Sequence, residues 1–409
     1  MVANTDIKFY VNTNNSAPTL SNIWGSLANL LDTCLVSGYG YQTISSATVL
    51  DNILTITFPS PHKLLAGQVI SLSGSISIEF NRQYRIAIVN SDTTLQIDLE
   101  GVVNTSLEGT MQVNLPGLGW IPELSQGGKR AYRNADVNDP DRPYLRVVDE
   151  IDPVWTSSYA KYGKVGIVDS LEDINTLVGV QTPFDLVSPD KNWIGSGSGT
   201  AAYNGWAKWY YARIRDVFVG NYFDSEGSED GVRGWMLVGN SDWFYILPSV
   251  IPSSTYCNIY FFGKLQGDVD YTYGLSSSVQ YDTAANNKAT TVKTPLSSSI
   301  PFFFLHGNTS GKAALSLYNG RDFAPSGSSG TFPSVSESLL LSNVYISEKS
   351  FQNNPLIEMP SFKWLLNSYQ SGYDLKVMQE NKKFILLKDV CASYKDNDKT
   401  LGSVAFVLT

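Results

Sequence analysis

The sequence predicts a mainly β protein built from antiparallel β-sandwich or barrel modules, with one amphipathic helix near the N-terminus. Only residues 17–38 show clear helical periodicity. Elsewhere, apolar residues alternate with polar ones or form short runs between Gly, Asn, Ser and Pro. The chain has 409 residues, of which 43% are hydrophobic and 16% charged. This composition can fill buried cores and is too poor in charge for a disordered protein.

The predicted helix rests on apolar residues that recur at steps of three and four within residues 17–38. They are Leu20, Ile23, Trp24, Leu27, Leu30, Leu31, Cys34 and Leu35. This stripe predicts about five helical turns. Ser16 and Thr19 are candidate caps, and Gly38 is placed to end the helix. Asp32 is the one charge in residues 17–37. We therefore expect a core helix, with a subunit-contact helix as the alternative.

Residues 43–115, the small module, show the period-two alternation of half-buried strands. Leu54, Ile56 and Phe58, for example, alternate with threonines. Asp51-Asn52 and residues 90–92 supply turns, which predicts a barrel-like module of five or six antiparallel strands. Its three basic and six acidic residues disfavour a nucleic-acid-binding barrel.

The rest of the chain predicts an aromatic-rich β domain at 116–275 and a C-terminal β-rich region at 276–409, after an N-terminal helical segment at 1–42. A hairpin turn is predicted at 239–242, and residues 206–218 fit either a helix or a strand. The expected strands are 144–148, 235–238, 243–247, 258–262, 300–306 and 313–317.

Composition also excludes several functions. The net charge of −9 disfavours nucleic acid as a partner. Two histidines and three scattered cysteines predict no metal site and no disulfide scaffold, and we expect no cofactor. No apolar run is long enough to span a membrane. The N-terminus lacks the features of a secretory signal, so we expect the chain to be made and kept inside a cell.

Candidate catalytic residues are few. His62 and His306 are expected at a turn or strand end rather than as catalytic bases. Residues 195–199 read Gly-Ser-Gly-Ser-Gly, which places Gly197 where a nucleophile elbow needs serine. No phosphate-binding loop or dinucleotide motif is present in the sequence. We therefore predict no catalytic residues and no enzyme activity.

Acidic clusters are the remaining route to chemistry. The clusters are Asp136, Asp139 and Asp141; Asp224, Glu226, Glu229 and Asp230; and Asp268 with Asp270. We expect all of them to be solvated surface. Weak cation binding is the alternative for the first two clusters, and a general-acid pair is the alternative for Asp268 and Asp270.

The chain is rich in aromatic residues, with 9 Trp, 23 Tyr and 18 Phe. Such residues are enriched at protein interfaces and in sugar-facing grooves, and they also fill β cores. Both interpretations stay open at this point.

Several segments together resemble a family of tailed-bacteriophage virion structural proteins. Residues 17–40 read APTLSNIWGSLANLLDTCLVSGYG, similar to the family's Ala-Pro-x-Leu, Gly-Ser-Leu and Leu-Leu-Asp-x-Cys-Leu-Val-x-Gly-x-Gly opening. Residues 62–74 and 80–86, then 119–120, 129–133, 144–147, 234–239 and 244–245, follow in the family's order, and 359–366 resembles its closing segment. Residues 201–221 and the Ser-rich stretch after Gly274 depart from the pattern.

The resemblance implies a non-enzymatic virion protein of the tail, baseplate or neck, assembled in the host cytoplasm through symmetric contacts with its own copies and other virion proteins. The helix and the small module are its candidate docking elements. A receptor-facing tail protein that binds host-surface glycan is the alternative, followed by a head decoration protein or a depolymerase.

Overall fold

The computed structural model confirms a mainly β fold, with 50% of residues in strands and 7% helical. It describes residues 4–139, 142–184, 189–198, 205, 207–214, 227–252, 254–255, 257–265, 273–277, 302–304, 315–318, 339, 341–348, 357–365, 374–380, 383–395 and 398–408.

One helix, α1 (Ser26–Leu31), continues directly into a π-helical segment, Asp32–Ser37, and short 3-10 turns occupy Ile78–Phe80 and Pro189–Asn192. The strands in chain order are β1 (Lys8–Val11), β2 (Tyr39–Thr43), β3 (Ser46–Leu50), β4 (Ile53–Thr57), β5 (Val69–Ser73), β6 (Gln83–Arg85), β7 (Ile88–Ser91), β8 (Thr94–Asp98), β9 (Thr105–Ser106), β10 (Gln112–Leu115), β11 (Trp120–Gln126), β12 (Lys129–Asn134), β13 (Tyr144–Val148), β14 (Lys161–Leu171), β15 (Leu177–Thr182), β16 (Lys208–Ala212), β17 (Trp235–Gly239), β18 (Trp243–Pro248), β19 (Tyr260–Lys264), β20 (Tyr273–Ser276), β21 (Phe302–Phe304), β22 (Leu315–Tyr318), β23 (Leu341–Glu348), β24 (Ile357–Leu365), β25 (Lys376–Glu380), β26 (Lys383–Lys395) and β27 (Asp398–Val407).

Within the described residues these strands form five antiparallel sheets. Sheet 1 has the order β1-β17-β18-β19-β20-β21, and sheet 2 has the order β2-β10-β5-β6. Sheet 3 is β7-β8-β4-β3-β9. Sheet 4 is β11-β12-β13-β14-β15, with β16 also paired to β14, and sheet 5 is β22-β23-β24-β27-β26-β25.

Sheet 1 is the middle layer of the molecule, with both faces buried. Along β18, Phe244 contributes to the core shared with sheet 4, whereas Tyr245 contributes to the core shared with sheet 5. The Phe244 ring meets Trp120 edge-on at 5.5 Å, and the Tyr245 ring stacks on Phe362 at 5.4 Å. Because both faces are buried, the strands of this sheet consist mainly of continuous runs of apolar residues, without the alternation of apolar and polar residues that a half-buried strand shows.

The helical prediction for residues 17–38 is wrong over its first part. The helix begins at Ser26, so Ser16 and Thr19 do not cap it. The preceding segment is irregular, and its apolar residues differ in burial: Ile23 is 67% exposed, whereas Leu20 is fully buried. Leu20 pairs with Arg233 as an isolated β-bridge. The predicted end is confirmed: Gly38 has φ +69°, and a Cβ there would lie 2.3 Å from the Leu115 carbonyl oxygen.

The small module contains more strands than predicted, divided between two sheets. Its apolar faces share one core, which includes Leu54 and Ile56 of sheet 3 and Ile70 of sheet 2. The predicted turn at Asp51-Asn52 is confirmed. Both residues have positive φ, 51° and 63°, as a two-residue hairpin turn requires.

Arg85 holds both ends of the described chain to the small module. Its guanidinium is buried and donates to the carbonyl oxygens of Asn4 (2.6 Å), Ile7 (2.8 Å), Gly67 (2.6 Å) and Leu408 (3.0 Å). Burial lowers the pKa of this arginine to about 10, so it stays charged at neutral pH. One cation therefore satisfies four backbone acceptors from three parts of the sequence.

The predicted strands beyond the small module are found with small shifts at their ends, and the hairpin turn at 239–242 is confirmed. Residues 206–218, left open between helix and strand, include β16 (Lys208–Ala212). The strands predicted at 300–306 and 313–317 correspond to the shorter β21 and β22. The aromatic residues of the described strands lie mainly in the cores, and Tyr41 is the one aromatic among the highly exposed large apolar residues of the described chain.

Candidate functional site

A pocket of about 540 Å³ lies between the start of the helix, the β11–β12 turn and the residues that follow β13. Three carboxylates converge on it: Asp32, Asp149 and Glu150. The other lining residues are Trp24, Gly25, Ala28, Asn29, Gly127, Gly128, Arg130 and Ile151. Converging carboxylates are the groups that acid–base chemistry on sugars would need, so the partners of each one decide what this pocket can do.

Asp149 lies at the floor of the pocket and is 1% exposed. Its Oδ2 accepts from the backbone N–H groups of Leu27 (3.0 Å) and Ala28 (3.1 Å), and its Oδ1 accepts from the Tyr211 hydroxyl at 2.6 Å. Burial raises its pKa to about 6, although these hydrogen bonds favour the charged form. Asp149 thus caps the helix from a position 122 residues away in sequence.

Asp32 and Glu150 are bound in a similar way. The Nε of Arg130 donates to both carboxylate oxygens of Asp32, at 2.9 and 3.1 Å, and the Tyr132 hydroxyl donates to Oδ1 at 2.7 Å. Glu150 accepts from the backbone N–H of Gly128 at 2.8 Å. Each carboxylate therefore joins two elements of the fold, and the pocket lies where the helix is anchored to sheet 4.

A second pocket, of about 450 Å³, lies between the N-terminal strand, β17 and sheet 5. Lys388 donates there to Asp374 Oδ1 (2.8 Å) and to the Thr255 carbonyl oxygen (2.7 Å). Burial alone would lower the pKa of Lys388, but Cys257 and the neighbouring carboxyl groups hold it above its usual value. Burial raises the pKa of the Cys257 thiol, which disfavours the thiolate that a nucleophile needs.

His62 lies in the irregular segment between β4 and β5, rather than at the predicted turn or strand end, and its ring is part of the fold. Its Nδ1 accepts from the Leu64 N–H at 2.9 Å, while Nε2 lies 3.1 Å from the Ser91 carbonyl oxygen. The second bond requires a proton on Nε2, so these contacts select one neutral tautomer. Burial lowers the pKa of His62. His306 lies outside the described residues.

The predicted acidic clusters are not assembled into a site within the described chain. Asp139 forms an ion pair with Lys264 at 2.9 Å, and Asp136 accepts from the backbone of Asn138. Asp230 accepts from the Asn22 side chain at 2.6 Å. Asp141, Asp224, Glu226, Asp268 and Asp270 lie outside the described residues, and the backbone carbonyl of Glu229 binds Arg233. No group of three or more metal-ligating side chains is found in the part of the chain that is described.

The Gly-Ser segment at 195–199 lies beside a buried ion pair. The Gly195 N–H donates to Asp152 Oδ2 at 2.8 Å, and the same oxygen accepts from Lys164 at 2.8 Å. Both side chains of the pair are nearly inaccessible. This segment therefore completes a hydrogen-bonded network in sheet 4, and Gly199 lies outside the described residues.

In the sequence Asp32 stands out as an isolated charge, but no local pattern predicts its partners or the role of Asp149. Arg130 and Tyr132 lie about 100 residues along the chain from Asp32. Asp149 directly follows the apolar strand β13, which is a common position for a surface turn residue. Nothing in its local sequence separates a buried cap from such a turn.

Fold and pockets together define a mainly β protein of layered antiparallel sheets whose pocket-lining charges bind the chain itself. No helix of the described residues has both the length and the apolar character needed to cross a membrane.

No protein-family model matches the chain, and no curated protein matches it. Among solved structures, "Phage phi92 endosialidase" aligns with 91% of this chain at 8% sequence identity and a TM-score of 0.17. This chain spans 52% of that protein's chain. A TM-score of this size does not indicate a shared fold, so the likeness assigns neither a fold family nor an activity.

Proposed function

We propose that this chain is a non-enzymatic structural protein of a tailed-phage virion, placed in the tail, baseplate or neck, where it assembles with its own copies and with other virion proteins. In the sequence, the motifs of residues 17–40 and of the later segments follow one another in the order that the resembled family shows, which supports the proposal. The observation that carries it from structure is that the charged groups lining the two pockets bind the chain's own donors and acceptors.

The motif residues have structural roles, which fits a family defined by assembly. Leu27 packs against sheet 4, where a Cβ added at Gly163 would lie 2.9 Å from its Cδ2 atom. Asp32 binds Arg130, and Gly38 allows the close approach of Leu115. These residues hold the helix in place, and none of them is left free to act on a substrate.

The glycan-binding alternative requires several aromatic faces along one groove. Each described pocket is lined by one tryptophan, Trp24 in the first and Trp235 in the second. Trp235 donates its Nε1–H to the Pro18 carbonyl oxygen at 3.0 Å, and the Trp24 ring is met edge-on by Tyr162. Both aromatic side chains thus take part in packing, which favours the structural role.

Quantitative mass spectrometry of purified virions tests the proposal. We expect the chain in washed particles at a fixed copy number, with a few copies indicating a tail-end or neck position and hundreds indicating a tube or shell. Absence of the chain from purified particles would refute the proposal.

Two further measurements separate the rivals. A purified chain that stays monomeric and cleaves host polysaccharide would support the depolymerase instead, and specific retention on host polysaccharide without cleavage would support the glycan-binding tail protein. Deleting residues 43–115 tests the docking role of the small module. Normal particle assembly and infectivity without them would contradict that role.

A further inference from the structure

The β9 edge of the small module carries an apolar and acidic surface that is held in place by hydrogen bonds. Strand β9 (Thr105–Ser106) is the last strand of sheet 3 among the described residues, and both of its residues are exposed. It pairs with β3 on one side. Near each end of β9 lies a pair of exposed apolar side chains.

The first pair is Leu50 and Val103, which are 61% and 82% exposed. Leu50 is the last residue of β3, and the Asp51-Asn52 turn that follows it is joined to the loop that carries Val103 by side-chain hydrogen bonds. Asn52 Oδ1 accepts from the Val102 N–H, and Asn104 Oδ1 accepts from the Asp51 N–H, both at 2.9 Å. These bonds fix both loops relative to each other, so the two apolar side chains are presented to solvent by a preformed structure.

The second pair is Ile76 and Ile78, which are 71% and 79% exposed. The Ile76 N–H donates to the Glu108 carbonyl oxygen at 2.8 Å, which ties this loop to the chain that follows β9. The Asn81 side chain bonds both the N–H and the carbonyl oxygen of Ser75, at 2.9 and 2.8 Å. This loop is therefore also held in one conformation.

Five residue steps separate Val103 from Glu108, so their Cα atoms are at most about 17 Å apart along the edge, and Ile76 is one hydrogen bond beyond Glu108. A standard interface buries about 800 Å² on each partner, an area roughly 30 Å across, so a segment of this length fits within one interface. Single exposed apolar residues are common on protein surfaces, whereas these four lie on segments that hydrogen bonds join to one another, which favours one partner that covers them together.

The charges on these segments identify the partner's chemistry. Asp51, Glu79 and Glu108 are exposed on the three loops. Residues 46–53 and 99–110 contain no Lys or Arg, and the loop 74–82 carries one exposed cation, Arg82, so with exposed Glu100 the acids outnumber the cations four to one. Two copies meeting through this edge would bring like charges together, which costs free energy at an interface. Nucleic acid is disfavoured for the same reason.

We propose that the β9 edge, formed by Leu50, Ile76, Ile78 and Val103 with their flanking acids, docks a basic, apolar surface of a different virion protein. This inference rests on the proposed function and adds to it the docking face and the partner's chemistry. Apolar contact supplies affinity, while the acids select a partner rich in lysine and arginine and disfavour self-association through this face.

The test compares two double variants in particles produced from a complemented null mutant. The docking variant is Val103→Ser with Glu108→Lys. The matched control is Val137→Ser with Glu172→Lys, which changes the same residue types at exposed positions outside the edge; Val137 is 76% exposed. Circular dichroism melts of both purified chains verify folding. We expect the docking variant to enter particles at less than a tenth of the wild-type copy number and the control at the wild-type level.

Carbodiimide cross-linking of wild-type particles, which joins carboxylates to lysines without a spacer, reads out the partner directly. A link from Glu108 or Asp51 to a lysine of a different virion protein supports the inference. The inference would be overturned by normal incorporation of the docking variant, by equal loss of both variants, or by links only to other copies of this chain. In each of these cases, wild-type chain in the particles would leave the proposed function standing. Absence of the wild-type chain would overturn both.

Discussion

Replacing Asp149 with asparagine should remove a pH dependence of stability that this buried carboxyl imposes on the protein. Its Oδ2 receives the N–H groups of Leu27 and Ala28, and its Oδ1 receives the Tyr211 hydroxyl. Asparagine can keep all of these contacts, because its oxygen can accept from the two N–H groups while its amide donates to the tyrosine oxygen. The tyrosine hydroxyl can then donate to the Ile23 carbonyl oxygen, which lies 3.2 Å away.

The expected magnitude follows from the pKa shift. Burial raises the pKa of Asp149 from 3.8 to about 6, so between these values the folded state binds more protons than the unfolded state. Stability contributed by this group is therefore greatest below pH 4 and decreases as the pH rises to about 6, by about 3 kcal/mol in total. The asparagine variant lacks this loss. Part of this loss has already occurred at pH 4, so the stability of the variant relative to the wild type should rise by about 2 kcal/mol between pH 4 and pH 7.

Urea unfolding followed by tryptophan fluorescence at half-unit pH steps measures this difference. Asp149→Ala serves as the contrast, because it leaves two backbone N–H groups without their acceptor and should cost about 2–4 kcal/mol across the range. If the difference between the wild type and Asp149→Asn stays constant from pH 4 to pH 7, the burial argument for this carboxyl is wrong.

Three other outcomes are expected. Gly163→Ala should destabilise the protein by about 1–3 kcal/mol in urea unfolding, because its Cβ would lie 2.9 Å from Leu27; an unchanged midpoint would contradict this packing. His62 should titrate below 6.5 by NMR in the folded protein. Burial lowers its pKa, so its contribution to stability decreases as the pH falls from 6.5 toward the folded value. Arg85→Met should speed amide exchange at residues 4–8 and 406–408 at least tenfold, because four carbonyl oxygens lose their donor, and equal exchange in both proteins would argue against the clamp.

The candidate site shows which features of the fold local sequence patterns can predict. The apolar stripe of residues 17–38 marked Leu20 and the helical leucines as buried, but Ile23 is 67% exposed, and the stripe did not distinguish the helix from the irregular segment before it. Leu20 is buried through a β-bridge to Arg233, and the helix starts only where Asp149 supplies an acceptor. Period 3.6 in a sequence reports burial on one side, and long-range contacts can bury irregular backbone in the same way.

Local patterns were enough to predict the β class and many turns, because alternation and turn preferences depend on a few neighbouring residues. The Asp51-Asn52 turn, with both residues at positive φ, is such a case. Long-range packing, in contrast, places sheet 1 between two cores, brings Asp32 to Arg130, and lets Asp149 cap a helix 122 residues away. Hydrophobic burial has no direction, so the sequence specifies which side chains leave water, while the packing of the sheets selects the groups that they meet.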